Sequence, residues 1–223
     1  MITSNQSVAS VVLEHSECAS VFQRHRIDFC CRGELSVEAA CEKAGVPLPA
    51  LLEELTSAAA QRDRSEPDPR KLSTPALVSH LAARHQQDVR EALPFIGTLA
   101  AKVSRVHGEH NPRLRELHAA VTELTELLLP HLEEEDEQLF PLLLAEGADQ
   151  AEARRRLEAM HAEHLRLGAA LARVRAAAED FALPDWACNS YRTLFSELEQ
   201  LEAELLAQVH LENHVLRPRF AAA

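Results

Sequence analysis

Apolar residues recur at α-helical spacing along most of this chain, and this periodicity constrains the fold more than any other feature. Four long segments carry the pattern, at about 75–106, 112–146, 149–180 and 185–220. In the second segment the inward series is Leu114, Leu117, Val121, Leu124 and Leu128. The loops between the segments are short, so consecutive helices must run antiparallel. The sequence therefore predicts an all-α, up-down four-helix bundle.

Composition supports an all-α fold and excludes some classes of function. Aromatic residues make up 4% of the chain and alanine and leucine dominate, which favours closely packed helices over a β-sandwich. A formal net charge of -12 argues against nucleic-acid binding. No segment approaches the length of a membrane span and residues 1–12 lack the features of a signal peptide, so we expect a cytoplasmic protein with no membrane partner. Five cysteines, an odd number, indicate reduced thiols.

The chain divides into a small N-terminal part and a larger bundle. Residues 1–61 contain short apolar stripes at helical spacing, one of which ends at Gly45 as helices often do. Residues 62–74 are rich in charge and hold two prolines, which is typical of a linker. Pro75 then suits the first turn of a helix. We therefore predict an N-terminal helical module over 1–61, a linker over 62–74 and a four-helix bundle over 75–223.

Two adjacent cysteines, Cys30 and Cys31, lie in a predicted turn that ends at Gly33. Adjacent cysteines rarely form a disulfide with each other, because the local geometry is strained. Two interpretations remain open: the thiols are small apolar residues packed beside Phe29, or they form a functional pair that ligates a metal ion or exchanges disulfides. The second interpretation expects nearby cationic side chains to favour the thiolate. These are Arg24, His25, Arg26 and Arg32.

A histidine and a glutamate, His131 and Glu135, lie four residues apart in the second predicted helix, so both side chains occupy one face. A related turn near the C-terminus runs from Gln208 through Glu212 to Pro218. Each predicted bundle helix carries histidine, and buried imidazoles need partners that a metal ion supplies. Imidazole and carboxylate ligands suit iron, manganese or zinc. The candidate metal ligands are His107, His131, Glu135, His164 and Glu212.

These residues resemble the iron-sulfur cluster repair di-iron proteins, also called the repair of iron centres family, over nearly the whole chain. The N-terminal motif of that family is similar to Asp28-Phe29-Cys30-Cys31, with Arg32 in place of the first of two following glycines. The hemerythrin-like domain of the family is similar to this sequence at His107, at His131 with Glu135 before Leu139-Phe140-Pro141, at Glu163-His164, and at Leu211-Glu212-Asn213 before Pro218.

The resemblance implies a hemerythrin-like bundle that holds two non-haem iron ions. Glu135 and Glu212 would bridge the ions, and histidines would occupy the outer positions. The resemblance also implies repair of iron-sulfur clusters that nitric oxide or oxidants have damaged, with damaged iron-sulfur proteins as clients.

Two glutamines depart from the family pattern. Gln86 and Gln208 stand where the family has histidines, and a glutamine carbonyl binds iron more weakly than an imidazole does. His85 is adjacent to Gln86 and His210 lies two residues from Gln208, but one helical step turns a side chain by about 100° and two steps by about 200°. A local bulge would bring His85 to the site, whereas His210 is poorly placed. We therefore predict a site that is retained but altered.

Three functions are compatible with this sequence. In the first, the bundle stores labile iron and donates it to a damaged client, which describes an iron donor more than a turnover enzyme. In the second, a hemerythrin-like module binds oxygen or nitric oxide reversibly as a sensor or carrier. In the third, the chain is a metal-free helical scaffold whose function is dimerisation. The apolar stripes of the N-terminal module would serve a homodimer or pack on the bundle.

Overall fold

A computed structural model describes residues 2–61, 68–83 and 87–221. Two compact units make up the chain: Met1–Thr74 together with Val209–Ala223 form one, and Pro75–Gln208 form the other. Within the described ranges the structure is helical and contains no β-strand, which confirms the predicted all-α class. None of the helices in these ranges is both long and apolar enough to span a bilayer.

Four short helices begin the first unit: α1 (Val8–Glu14), α2 (Ala19–Arg24), α3 (Val37–Ala44) and α4 (Leu48–Ala59). Ser7 and Ser36 cap α1 and α3, because each hydroxyl accepts a hydrogen bond from an N–H in the first helical turn. Gly45 ends α3 in the left-handed conformation, with φ of 68°, as the sequence predicts. The buried side chains of these helices include Val8, Val11, Phe22, Leu51 and Leu55.

The linker predicted at 62–74 is described from residue 68 onward, where it leads into α5 (Thr74–Leu81). The segment predicted as one helix over 75–106 holds α5 and then α6 (Gln87–His107). Residues 84–86, which lie between these two helices, are outside the described ranges. The first predicted bundle helix is therefore described as two helical segments, one on each side of residues 84–86.

The second unit is built from α6, α7 (Arg113–Glu134), α8 (Phe140–Leu144), α9 (Gln150–Ala177) and α10 (Asn189–Leu211), of which α10 continues past Gln208 into the first unit. Helix α7 packs along both α6 and α9. The aliphatic residues that predicted these helices line their common core, as the periodicity requires. They include Leu117, Val121, Leu124, Leu128, Leu171, Leu198 and Leu205.

Two of the long helices pass into a five-residue π-helical turn. The first π-turn, Glu135–Leu139, follows α7, and the second, Glu212–Leu216, follows α10. In each case a proline comes two residues after the turn, at Pro141 and Pro218. Proline has no N–H to donate and its ring crowds the carbonyl one turn earlier, so it disfavours regular α-helix around it, although Pro94 and Pro130 are tolerated within α6 and α7. A wider turn accommodates this defect, and π-turns of this kind are frequent at functional sites.

Candidate metal centre

His131 and Glu135 lie where α7 passes into the first π-turn. Both side chains are buried, with 6% and 1% of their surface exposed. The Nε2 atom of His131 lies 3.4 Å from Oε1 of Glu135, across one helical turn. The two side chains therefore share one face, as their four-residue spacing predicts.

Helix α9 contributes His164, which is fully buried and faces the same carboxylate. Its Nε2 lies 3.9 Å from Oε1 of Glu135, and its ring meets that of His131 edge to face, with ring centroids 5.0 Å apart. One ligand atom from each of these three residues lies within 4.8 Å of the others. The packing of α9 on α7 thus brings together three predicted ligands that are distant in sequence.

Glu163 orients the imidazole of His131. Its Oε2 lies 2.9 Å from Nδ1 of His131, so Nδ1–H donates to the carboxylate and leaves Nε2 facing Glu135. A carboxylate in this position is the usual outer partner of a metal-binding histidine, and it raises the basicity of the ring. In the sequence motifs Glu163 stands only as the residue before His164. Its role depends on the approach of α9 to α7, which no spacing within one helix reveals.

Gln208 of α10 stands at the other oxygen of the central carboxylate. Its amide Nε2 donates to Oε2 of Glu135 over 3.4 Å, and the side chain is buried. The residue that departs from the family pattern therefore does contact the cluster. Because an amide nitrogen carries no lone pair for a metal ion, Gln208 would have to turn its carbonyl oxygen inward to act as a ligand.

Glu212 lies one helical turn beyond Gln208 and opens the second π-turn, as Glu135 opens the first. Its side chain has no exposed surface. A carboxylate buried so completely needs compensation by hydrogen bonds, by protonation or by a cation. Its assignment as the second bridging ligand stays a prediction.

His107 does not join the cluster, and its prediction as a ligand is wrong. It is the last residue of α6, and its Nε2 lies 3.2 Å from Sγ of Cys188, beside the rings of Trp186 and Tyr191. The 22 residues of the next helix, α7, carry His131 in their last turn, so about 30 Å of helix separates the two histidines. The family motif order suggested His107, but an antiparallel bundle puts the end of one helix far from the end of the next.

His210 contacts the thiol-bearing loop of the first unit. Its Nδ1 lies 3.1 Å from the carbonyl oxygen of Phe29, and the ring is buried. Burial lowers the pKa of His210 to about 3, and the neighbouring His214 adds to the effect. The neutral ring therefore donates Nδ1–H to the loop, which agrees with its poor helical register for the cluster. The remaining candidates His85 and Gln86 lie outside the described residues, and their roles stay predictions.

Cys30 and Cys31 form a close pair of buried thiols that share no disulfide, with their Sγ atoms 3.4 Å apart. The Oδ1 atom of Asp28 accepts hydrogen bonds from both cysteine N–H groups, over 3.1 Å and 2.8 Å. The hydrogen bond from Cys31 raises the pKa of Cys30 well above its ordinary value, and burial adds to the rise. Cys30 therefore keeps its proton at neutral pH.

The expectation that cationic neighbours favour a cysteine thiolate is wrong for Arg24 and His25. Both pair with Glu54, over 3.1 Å and 2.9 Å. These two contacts, that of His25 first, lower the pKa of Glu54. Because Glu54 neutralises their charge, neither side chain is available to a thiolate.

A cavity of about 400 Å³ lies beside the buried cluster within the second unit. His131 and Glu135 form part of its wall, and so do two arginines and several glutamates. These charged residues are Glu126, Glu134, Arg156, Glu163 and Arg166. A space of this size, lined by apolar as well as charged side chains, accommodates water or a small ligand next to the central carboxylate.

The donors around Glu135 suit iron in both chemistry and spacing. Two imidazoles with one carboxylate are the ligand set of many non-haem Fe(II) sites. Ligands at about 2.1 Å from one metal ion lie at most about 4.2 Å apart. The separations of 3.4 Å and 3.9 Å measured at Glu135 fall inside this limit. His131, Glu135 and His164 therefore form a credible binding set for one iron ion.

Comparisons with known proteins agree with this geometry. The family model described as the hemerythrin HHE cation binding domain matches residues 76–220, and the model of a domain of unknown function, DUF542 (ScdA_N), matches residues 4–59. The iron-sulfur cluster repair protein YtfE of Yersinia pseudotuberculosis serotype IB (strain PB1/+) is 31% identical over 215 residues, which cover 96% of each chain. The iron-sulfur cluster repair protein ScdA of Staphylococcus haemolyticus (strain JCSC1435) is 29% identical over 223 residues, which cover 99% of this chain and 100% of that protein.

The chain belongs to the iron-sulfur cluster repair family. Membership of this family confirms the resemblance that the sequence motifs indicated. The second unit lies within the matched hemerythrin cation-binding domain, apart from its first residue. The two matched domains of this repair family protein flank the linker that was predicted at 62–74.

Proposed function

We propose that this protein repairs iron-sulfur clusters damaged by nitric oxide or oxidants, and that it does so by donating iron held in its bundle. The observation that carries the proposal is the buried carboxylate of Glu135, faced by the imidazoles of His131 and His164, in a member of the iron-sulfur cluster repair family. Iron is the cargo in this proposal, and the clients are iron-sulfur proteins that have lost it.

The proposed roles follow from the contacts of each side chain. His131, Glu135 and His164 hold iron, and Glu163 keeps the Nε2 atom of His131 directed at the site. Glu212 is the proposed second carboxylate of a site for two iron ions, because it is buried and opens the matching π-turn. Two bridging carboxylates with terminal imidazoles would complete the di-iron set that the family resemblance implies.

Gln208 supports donation over permanent storage of iron. Its amide occupies the place of a family histidine and contacts Glu135. A neutral carbonyl oxygen is a weaker ligand for iron than an imidazole, so one coordination position is poorly held. A site with a weak ligand releases its ion faster, which suits a protein that must pass iron to a client.

The test compares iron content and iron transfer in two matched variants. After iron-supplemented expression we expect about two iron ions per chain, as in other di-iron bundles. Isotopically labelled iron should then move into a client that has lost part of its cluster. Glu135→Ala should abolish binding and transfer, whereas Glu137→Ala, an exposed position in the same π-turn, should preserve both. Wild-type protein that takes up no iron under anaerobic Fe(II) addition would contradict the proposal.

The cavity beside His131 favours a second candidate function, reversible binding of nitric oxide or oxygen. A small ligand in that space would lie next to the proposed iron ligands. This candidate predicts new optical bands when nitric oxide is added to the iron-loaded protein, and no movement of iron to a client. If labelled iron moves from the protein to the client at the same rate as the client's cluster recovers, the protein donates iron.

The proposed location is the cytoplasm, where reduced thiols persist. None of the five cysteines forms a disulfide in the structure. A homodimer also stays a prediction, which sedimentation of the purified chain would test. Fractionation of cells that express a tagged full-length protein would test the location.

A further inference from the structure

The adjacent thiols of Cys30 and Cys31 form a second cluster of metal-ligating groups, in the first unit. Their Sγ atoms are 3.4 Å apart, and only 3% and 5% of their surfaces are exposed. A carboxylate oxygen of Asp28 lies with both sulfur atoms in one group of ligand atoms, all within 4.8 Å of one another. The proposed iron ligands in the bundle do not include any of these residues.

The loop that carries the thiols is held from several sides. Asp28 accepts both cysteine N–H groups, as described above, and Asn213 donates its amide N–H to the carbonyl of Cys30 over 2.9 Å. His210 holds the carbonyl of Phe29 in the same way. These hydrogen bonds fix the backbone on which the two sulfur atoms are mounted, and Sγ of Cys30 itself lies 3.4 Å from Oδ1 of Asp28. A ligand pair fixed before binding loses little conformational entropy when an ion arrives.

Gly33 allows this close packing of the loop. A Cβ atom at this position would lie 2.5 Å from the carbonyl oxygen of Phe29 and 2.6 Å from Cβ of Ala9. Neither distance is tolerated by real side chains, so the backbone approach requires glycine. The conformation of the turn around the two thiols therefore depends on glycine at position 33.

The distance between the sulfur atoms suits a shared ion. Two thiolates bound to one tetrahedral ion at about 2.3 Å each lie about 3.8 Å apart. The present separation of 3.4 Å would need to open by only a few tenths of an ångström. Thiolate ligands select soft or borderline ions such as Zn²⁺ and Cu⁺ over the harder ions that carboxylates prefer.

We propose that Cys30 and Cys31 bind one thiophilic metal ion, Zn²⁺ or Cu⁺, with the carboxylate of Asp28 as a third ligand. Each thiol loses its proton when its sulfur binds the ion, so two protons are released and no electron is transferred. The site is independent of the proposed iron donation, because it uses none of the same side chains. The N-terminal module would then bind a metal ion separately from the bundle.

The test uses Cd²⁺ as a spectroscopic probe on the full-length chain. Cadmium bound to thiolates produces an ultraviolet charge-transfer band that carboxylate and imidazole sites lack. We expect the band to saturate at about one ion per chain with release of about two protons. Added Zn²⁺ or Cu⁺ should then abolish the band. The ion that does so at the lower concentration is the one that the site prefers.

Variants identify the side chains that bind the cadmium ion and produce the band. The double change Cys30→Ser with Cys31→Ser should eliminate it, whereas Cys41→Ala, which removes another buried thiol of the same unit, should leave it unchanged. Asp28→Asn, which keeps an oxygen for the two backbone N–H groups, should weaken Cd²⁺ binding on the order of tenfold. Glu135→Ala should retain the band, so loss of the bundle site and loss of the thiol site are separate outcomes.

A measurement on the wild-type chain tests the proposal even if the variants fail to fold. Bound Zn²⁺ should protect Cys30 and Cys31 from alkylation in partly denaturing conditions, while Cys18 and Cys41 are alkylated at an unchanged rate. Absence of the cadmium band from the folded wild-type protein would overturn the proposal. Persistence of the band in the double serine variant, or failure of both Zn²⁺ and Cu⁺ to displace it, would overturn it as well.

Discussion

Glu135 depends on three neighbours from three different stretches of the chain. His131 lies on its own helix, His164 comes from α9 and Gln208 from α10. A carboxylate with almost no exposed surface is costly when its neighbours are neutral, and a cation bound between it and the imidazoles removes that cost. The affinity of the site for iron should therefore respond strongly to single substitutions among these neighbours.

Gln208→His should strengthen iron binding, because it places an imidazole where the family pattern has one. Loss of a group that only supports a metal ligand typically lowers affinity by about ten- to a hundredfold, so a gained direct ligand should raise it by at least about tenfold. Competition with a chelator of known affinity measures the change. Gln200→His, at an exposed position of the same helix, is the matched control. Equal affinities in the two variants would contradict the assignment.

Glu163→Gln should weaken iron binding by about ten- to a hundredfold without removing any direct ligand. The amide still offers an oxygen to Nδ1 of His131, but it carries no charge to raise the basicity of the ring. Glu158→Gln changes an exposed residue of the same helix and should have no effect. The same chelator competition applies. A normal affinity in Glu163→Gln would show that the contact with His131 is only structural.

The π-turns are the features that join helix geometry to the site. Glu135 and Glu212 each open such a turn, and each turn is followed by a proline. The wider turn changes the angle at which the following residues leave the helix. The repeated order of carboxylate, π-turn and proline thus gives α7 and α10 the same local arrangement at their C-terminal ends, although the amino-acid sequences of the two turns differ.

Pro141→Ala should weaken iron binding by disturbing the first π-turn. Alanine restores an N–H and removes the ring that disfavours a regular α-helix, so α7 and α8 can join more easily without the wider turn. One residue of altered register rotates a side chain by about 100°, which would move Leu139 and Glu135 relative to each other. We expect unchanged helical content by circular dichroism and a loss of iron affinity on the order of tenfold. Pro94→Ala, within α6, is the control, and an unaffected site in Pro141→Ala would argue against a role for the turn.

At the scale of the whole molecule, iron should stabilise the fold. A ligand that binds only the native state at 100 times its dissociation constant contributes about 2.7 kcal/mol. For a chain of this size that corresponds to a rise in Tm of about 5–10 °C. Melting curves with and without a chelator measure the shift, and Glu135→Ala should show none. An identical Tm for loaded and chelated wild-type protein would favour the metal-free scaffold.

Much of this architecture could be predicted from the sequence because it rests on periodicity. The buried series that contains Leu117 and Leu128 identified α7, and the four-residue spacing identified His131 with Glu135. What could not be predicted depends on contacts between distant segments. The role of Glu163 requires the approach of α9, and the failure of His107 as a ligand follows from the length of α7.

The C-terminal residues also show that sequence periodicity does not predict contacts between distant segments. Apolar periodicity continues through α10, so the sequence assigned everything after residue 75 to one bundle. In the structure, Val209–Ala223 group with the N-terminal unit, where Asn213 and His210 bind the loop that contains the thiols. Periodicity reports which face of a helix is buried, but it does not report which segment covers that face.

The first π-turn also makes chain length a determinant of the site. A π-turn holds one residue more than the equivalent α-helical turn, so it amounts to a single-residue insertion absorbed within a helix. Between Glu135 and Pro141 the number of residues, more than their identity, sets which face of α8 turns inward. Deleting one exposed residue such as Glu137 should therefore be more damaging than replacing it, and a natural length difference at this position would mark a change in the centre itself.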